Sequence, residues 1–152
     1  MNPAAPFALV VEDHHEVAES LRRVLEKMGV VAVVAQDGEA ALKVMNTQHF
    51  DLIVVDILLP RVNGLEVMRA IRQLSHLREV PVIVISCVTD AEAQAQAAAM
   101  GAVHYLCKPF EMFEFQAQVE RILKPQLMRR PFVASTPPSP DGPAHLPWQP
   151  RR

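Results

Sequence analysis

Leu52-Ile53-Val54-Val55-Asp56 is an unbroken apolar run, rich in β-branched residues, that ends on a carboxylate. Branching at Cβ favours a pleated strand. The absence of polar alternation predicts a strand buried on both faces, as in a parallel sheet covered by helices. Similar runs recur along the chain. Ala8-Leu9-Val10-Val11 ends on Glu12-Asp13, Val82-Ile83-Val84-Ile85 ends on Ser86, and Val103 to Cys107 leads into Lys108-Pro109. The carboxyl ends of parallel strands open onto one crevice, where ligands of such folds bind. Three acids, a hydroxyl and an ammonium are therefore expected at one point, which suits a divalent cation and a phosphoryl group.

Helical patterns separate the strands, predicting an α/β, doubly wound architecture. After the first strand (7–11), Val17, Leu21, Val24, Leu25 and Met28 share one helix face, with Gly29 as the stop. A second strand (30–35) leads through Asp37-Gly38 to a helix turning Ala41, Leu42 and Met45 inward. The third strand (51–55) is followed by Pro60, the Asn63-Gly64 turn, and a helix bearing Leu65, Met68, Ile71 and Leu74. Pro81 opens the fourth strand, and Asp90 is the expected cap of an alanine- and glutamine-rich helix to Met100. That helix buries little volume and is expected to be the most loosely held. The last strand (103–106) precedes a helix from Glu111 to about Leu123 carrying Met112, Phe115, Val119 and Ile122.

The 152 residues suit one domain, placed at 5–124, and a Pro/Arg-rich, disordered tail at 125–152. The tail holds eight of the thirteen prolines and, in Trp148, the only tryptophan. Residues 1–124 carry 11 Lys/Arg against 16 Asp/Glu. So acidic a body argues against a nucleic-acid surface. Two cysteines make no disulfide framework, and no apolar run nears the ~20 residues of a membrane span. A cytoplasmic protein without a membrane partner is expected.

A carboxylate attacks a phosphoryl group only when a cation neutralises the oxygens and the geometry is held in line. Asp13 and Asp56 offer hard oxygen ligands for Mg²⁺, with the backbone carbonyl of Leu58 as a third and Glu12 acting through a bound water. Lys108 is placed to grip a phosphoryl oxygen and Ser86 to donate a hydrogen bond to another.

Glu12-Asp13 after an apolar strand, Asp56 followed by Pro60 and Gly64, Ser86, and Tyr105-Leu106-Cys107-Lys108-Pro109-Phe110 occur in this order within residues 7–123. Together they resemble a response-regulator receiver domain of two-component signalling, of the stand-alone type. The resemblance implies a flavodoxin-like, five-stranded parallel sheet in the order 2-1-3-4-5 with five helices. It makes Asp56 the acceptor of a phosphoryl group from a sensor histidine kinase or a histidine phosphotransfer protein, with Mg²⁺. Ser86 and Tyr105 match the switch pair, and Pro60, Gly64 and Pro109 are supporting positions. Output is expected through a downstream protein at the face of the fourth helix, fifth strand and fifth helix. A phosphorylation-linked dimer fits that mode, with no nucleic-acid partner and no turnover of a separate substrate. Leu58 and Val88 are apolar where water would approach the acyl phosphate, which is expected to lengthen its life.

Other readings compete. A degenerate receiver would bind its partner without phosphate. A Mg²⁺-dependent phosphohydrolase would need a second carboxylate two residues past Asp56, where Leu58 stands, and a flavin binder would need a phosphate loop after the first strand. His14 and His15, as adjacent helical residues, would point about 100° apart and are expected to face solvent rather than share a metal. Cys87 and Cys107 are expected to be small buried residues.

Overall fold

The computed structural model describes residues 5–128. Five strands alternate with five helices: β1 (Phe7–Val11), α1 (His15–Lys27), β2 (Val31–Ala35), α2 (Gly38–Met45), β3 (Leu52–Asp56), α3 (Gly64–Gln73), β4 (Val82–Ser86), α4 (Ala91–Ala99), β5 (Ala102–Cys107) and α5 (Met112–Met128). Every pairing is parallel and the spatial order is β2-β1-β3-β4-β5, the doubly wound arrangement expected. The order reverses between β1 and β3, and at such a switch point the strand tips leave a crevice. Glu12-Asp13 and Asp56 stand at those two tips.

The two-residue period of each strand sends alternate side chains to opposite cores. Leu9, Val11, Ile53, Val55, Val82, Val84 and Tyr105 pack with α2 and α3 residues and with Ala97 of α4. Ala8, Val10, Leu52, Val54, Ile83, Ile85 and Leu106 pack with Leu21 and Leu25 of α1 and Phe115, Val119 and Leu123 of α5. Both faces are covered, so the strands need no polar alternation.

Two helical faces sit slightly rotated from the sequence reading. In α3 the fully buried residues are Val67, Met68 and Ile71, while Leu65 and Leu74 are half-buried; in α5 Leu123 is buried and Ile122 half-buried. The expected end of the last helix near Leu123 also shifts, because α5 continues through Pro125 to Met128. Proline removes one intrahelical donor. Contacts on both sides offset this, since Leu127 packs on the second core and the Gln126 amide donates to Asp51 Oδ1 at 3.1 Å. The remainder of the proposed tail, with Trp148, lies outside the described residues.

Side-chain oxygens of Asp37, Asn63 and Asp90 accept the third amide of α2, α3 and α4. His14 takes the same position before α1 but caps no amide with its side chain. The alanine-rich α4 buries only Ala97, as its composition predicts. Its far end has no basic residue of its own, and Arg72 of α3 supplies one. The guanidinium donates to the carbonyls of Met100 at 2.9 Å, Gly101 at 3.1 Å, Val80 at 3.0 Å and Arg78 at 2.6 Å. A cation there also faces the negative end of the helix dipole. Hydrogen bonds to charged groups contribute ~1.5–3 kcal/mol. Arg72→Met is therefore expected to speed α4 amide exchange at least about tenfold while β1 and β3 keep their protection. Equal α4 protection in the two proteins would contradict the clamp.

Candidate functional site

Alternation along the sheet carries the site with it. Glu12, Asp56 and Lys108 continue the rows of Val10, Val54 and Leu106, so all three leave their strands on the side of α1 and α5. Glu12 is fully buried and Asp56 is 2% exposed. The Lys108 ammonium donates to Asp56 Oδ2 at 2.7 Å and to Glu12 Oε1. Asp56 Oδ1 accepts the Leu58 amide at 2.9 Å. The Lys108 amide in turn donates to the Ser86 carbonyl at 2.8 Å, fixing the lysine to β4, and Pro109 follows through a cis peptide.

Gly64 permits the loop behind Asp56. A Cβ built there would lie 2.2 Å from the Asp56 carbonyl oxygen and 2.7 Å from Ile57 Cα. The Gly64 amide donates to the Ile57 carbonyl at 2.8 Å, and the Pro60 carbonyl accepts the Val62 amide at 2.8 Å. Any side chain at position 64 would push the start of α3 away from the acid.

Burial pushes the Glu12 carboxyl up to about 8; the neighbouring Asp56 carboxyl adds to the rise and Lys108 opposes it. Burial alone would lower Lys108, but Asp56 and Glu12 outweigh it and hold the ammonium above its usual range. The cluster is thus short of positive charge. Glu12 Oε2 and Asp13 Oδ1 are buried without a hydrogen-bond partner. Buried acceptors of this kind normally find a partner, and hard, unbridged carboxylate oxygens suit Mg²⁺. Donor atoms of Glu12, Asp13, His14 and Asp56 lie within 4.8 Å of one another.

His14 and His15 are both exposed, as expected, although the helical angle does not govern His14, which precedes the helix. Its backbone is extended, and Nδ1 lies 3.4 Å from Asp13 Oδ1 although the side chain is 68% exposed. Cys87 is corrected, being exposed, while Cys107 is half-buried. It follows β4 at the tip, beyond the reach of the covering helices. For Leu58 the structure shows the amide engaged with Asp56, and its side chain stands exposed at the rim.

Ser86 and Tyr105 meet across one residue, Val88. The Ser86 hydroxyl oxygen accepts the Val88 amide at 3.0 Å, and the Tyr105 hydroxyl donates to the Val88 carbonyl at 2.6 Å. Burial raises the Tyr105 hydroxyl, against a lowering contact with Ser86. Its ring already lies buried. A cavity of about 510 Å³, lined by His49, Asp51, His76 and Gln126 among others, opens at the amino ends of the strands and includes none of these residues.

Comparison with known proteins agrees with this geometry. The family described as response regulator receiver domain matches residues 8–120. The alkaline phosphatase synthesis transcriptional regulatory protein PhoP of Bacillus subtilis (strain 168) is 34% identical over 116 residues, covering 76% of this chain and 48% of the relative. Response regulator MprA of Mycolicibacterium vanbaalenii is 35% identical, covering 76% and 49%. Among solved structures, the chemotaxis protein CheY4 of Vibrio cholerae has a TM-score of 0.74 at 28% identity, covering 79% of this chain and 100% of that one. The receiver domain of sensor histidine kinase PA1611 from Pseudomonas aeruginosa PAO1, solved with magnesium in its active-site cleft, has a TM-score of 0.72 at 27% identity, covering 80% and 99%.

The relatives overturn the expectations about partners. The chain spans about half the length of the curated proteins it matches, and PhoP and two further relatives are named as transcriptional regulators. Neither the exclusion of nucleic acid nor output through a downstream protein alone therefore stands. The acidity of residues 1–124 describes that segment's own surface and says nothing of a covalently joined region. No helix of the described residues is long and apolar enough to cross a membrane.

Glu12 has a testable consequence for stability. A carboxyl with a higher pKa folded than unfolded holds its proton longer in the folded state. Its contribution is full below about 4.5 and is lost as the pH rises through about 8. Lys108, raised from 10.5, adds no slope in that range, and His104, lowered by burial to about 4, acts oppositely only below 6.5. Between pH 6.5 and 8 the cation-free protein is expected to lose stability in urea titrations, and Glu12→Gln to flatten that loss. The same slope in both proteins would contradict the assignment.

Proposed function

The chain belongs to the response regulator receiver family, and on that premise we propose that Asp56 accepts a phosphoryl group from a phosphohistidine on a kinase or phosphotransfer protein. The observation that supports this most is the fixed carboxylate of Asp56, held on one oxygen by the Leu58 amide and on the other by Lys108. Two donors orient the nucleophile before any substrate arrives, which lowers the entropic cost of an in-line approach.

Asp13 and Asp56 would hold Mg²⁺, with the Leu58 carbonyl and, through a water, Glu12 completing the set. When bound, the cation neutralises phosphoryl oxygens that would otherwise repel the attacking carboxylate. Lys108 already faces Asp56 Oδ2 and supplies a second positive charge to the same group. Ser86 accepts a hydrogen bond from Val88, and its proton, turned from its contact with Tyr105, would be donated to a phosphoryl oxygen.

Such a donation has a mechanical consequence. A shift of Ser86 towards the acyl phosphate would strain the bond from the Val88 amide, and the Val88 carbonyl is the acceptor of Tyr105. Phosphorylation would thereby reach the β5 surface through one residue, Val88. Gly64, Pro60 and Pro109 serve by shaping the loops that bring Asp56 and Lys108 together. The activity is a self-modification rather than turnover of a separate substrate. It resides in residues 5–124, and a cytoplasmic setting would keep Cys87 and Cys107 reduced.

Incubation with acetyl phosphate and Mg²⁺ is expected to add one phosphoryl group to the peptide containing Asp56, and Asp56→Asn to remain unmodified. Beryllofluoride with Mg²⁺ should shift the amide resonances around Val88 and Tyr105. Absence of both responses would favour a phosphorylation-independent binding module. Leu58→Asn, which puts a polar group at the exposed rim, is expected to hasten loss of the phosphorylated form several-fold. An unchanged decay rate would end the shielding role.

A further inference from the structure

We propose that the imidazole of His14 is a ligand, beside Asp13 and Asp56, for late first-row divalent cations (Co²⁺, Ni²⁺ or Zn²⁺) in the carboxylate crevice. This rests on the reading above that a cation sits in the crevice, and it adds a selectivity that an all-oxygen set would lack.

Four observations carry it. His14 brings a nitrogen into the same 4.8 Å cluster as Glu12, Asp13 and Asp56. Its Nδ1 lies 3.4 Å from Asp13 Oδ1 and 3.9 Å from Glu12 Oε1. Donors bound at right angles to an ion at ~2.1 Å stand ~3 Å apart, so a small contraction completes the arrangement. Glu12 Oε2, on a fully buried side chain, and Asp13 Oδ1, which faces the His14 nitrogen, both accept no hydrogen bond. Finally, the imidazole performs no capping for α1, and its exposure leaves the other ring nitrogen in water.

The chemistry then separates the metals. Mg²⁺ binds hard oxygen and keeps much of its water, so a nearby imidazole gains it little. Later first-row ions bind imidazole strongly and follow the rising order from Mn²⁺ to Cu²⁺. His14 should therefore change their affinity while leaving that of Mg²⁺ almost untouched. A His14 that acted only as a positively charged neighbour would do the reverse. Its removal would then tighten every divalent ion alike.

The test uses the full chain, with Co²⁺ and Mg²⁺ as separate probes, calorimetry for affinity and visible absorption for the Co²⁺ ligand field. His14→Ala is expected to weaken Co²⁺ about tenfold or more and to alter its absorption bands, with Mg²⁺ affinity within about twofold of wild type. His15→Ala, one residue further and outside the cluster, should change neither. No His14 cap bond is lost, so the melting temperature of cation-free His14→Ala should match wild type. Unchanged Co²⁺ binding in His14→Ala would overturn the proposal, as would equal weakening or equal tightening of both ions. If wild type still takes beryllofluoride with Mg²⁺ in those cases, only the His14 role falls. Failure of wild type to bind either ion would remove the cation reading itself.

Discussion

The ammonium of Lys108 is shared by two carboxylates, Glu12 and Asp56, that the fold has taken out of water. A buried charge is costly unless it is paired, and here one positive group serves two negative ones with Asp13 alongside. The remaining deficit is met by a raised Glu12 pKa or by a cation. The parallel sheet exists around this constraint, because only strand tips aligned on one edge can bring residues 12, 56 and 108 into contact across long stretches of chain. Gly64 serves it too, by letting α3 begin against the Asp56 backbone.

The sheet was legible because each strand is a short apolar run closed by a polar residue, and burial on both faces leaves that pattern plain in sequence. The placement of Asp56, the Glu12-Asp13 pair, Lys108 and Ser86 at the strand tips was legible for the same reason: each terminates such a run. What failed was finer. Leu123 and Val67 outrank Ile122 and Leu65 because helical phase is set by packing on the sheet, which composition does not record. Pro125 looked like a stop, yet Leu127 and Gln126 hold the last turn in place. His14 is exposed as read, but the helical angle behind that reading does not apply to a residue with extended backbone. The partners were misjudged because a net charge belongs only to the segment it is counted over.

Ser86, Val88 and Tyr105 show how little structure lies between the carboxylate crevice and the surface. One residue, Val88, donates its amide to Ser86 and accepts at its carbonyl from Tyr105. The neighbouring α4 is fixed by its ends rather than by its face, through Asp90 at one end and Arg72 beyond the other. A helix that buries only Ala97 costs little to displace. The element least anchored by packing thus stands next to the groups that would sense phosphate.

The central claim is that charge deficit at the strand tips is relieved by a divalent cation held through Asp13 and Asp56. A titration of thermal stability with MgCl₂ at constant ionic strength tests it most directly, since a ligand bound only by the folded state raises the melting temperature by mass action. Wild type should melt at progressively higher temperature as Mg²⁺ rises, and Asp13→Asn should show a much smaller change. A melting temperature of wild type that stays flat across the titration would contradict the account.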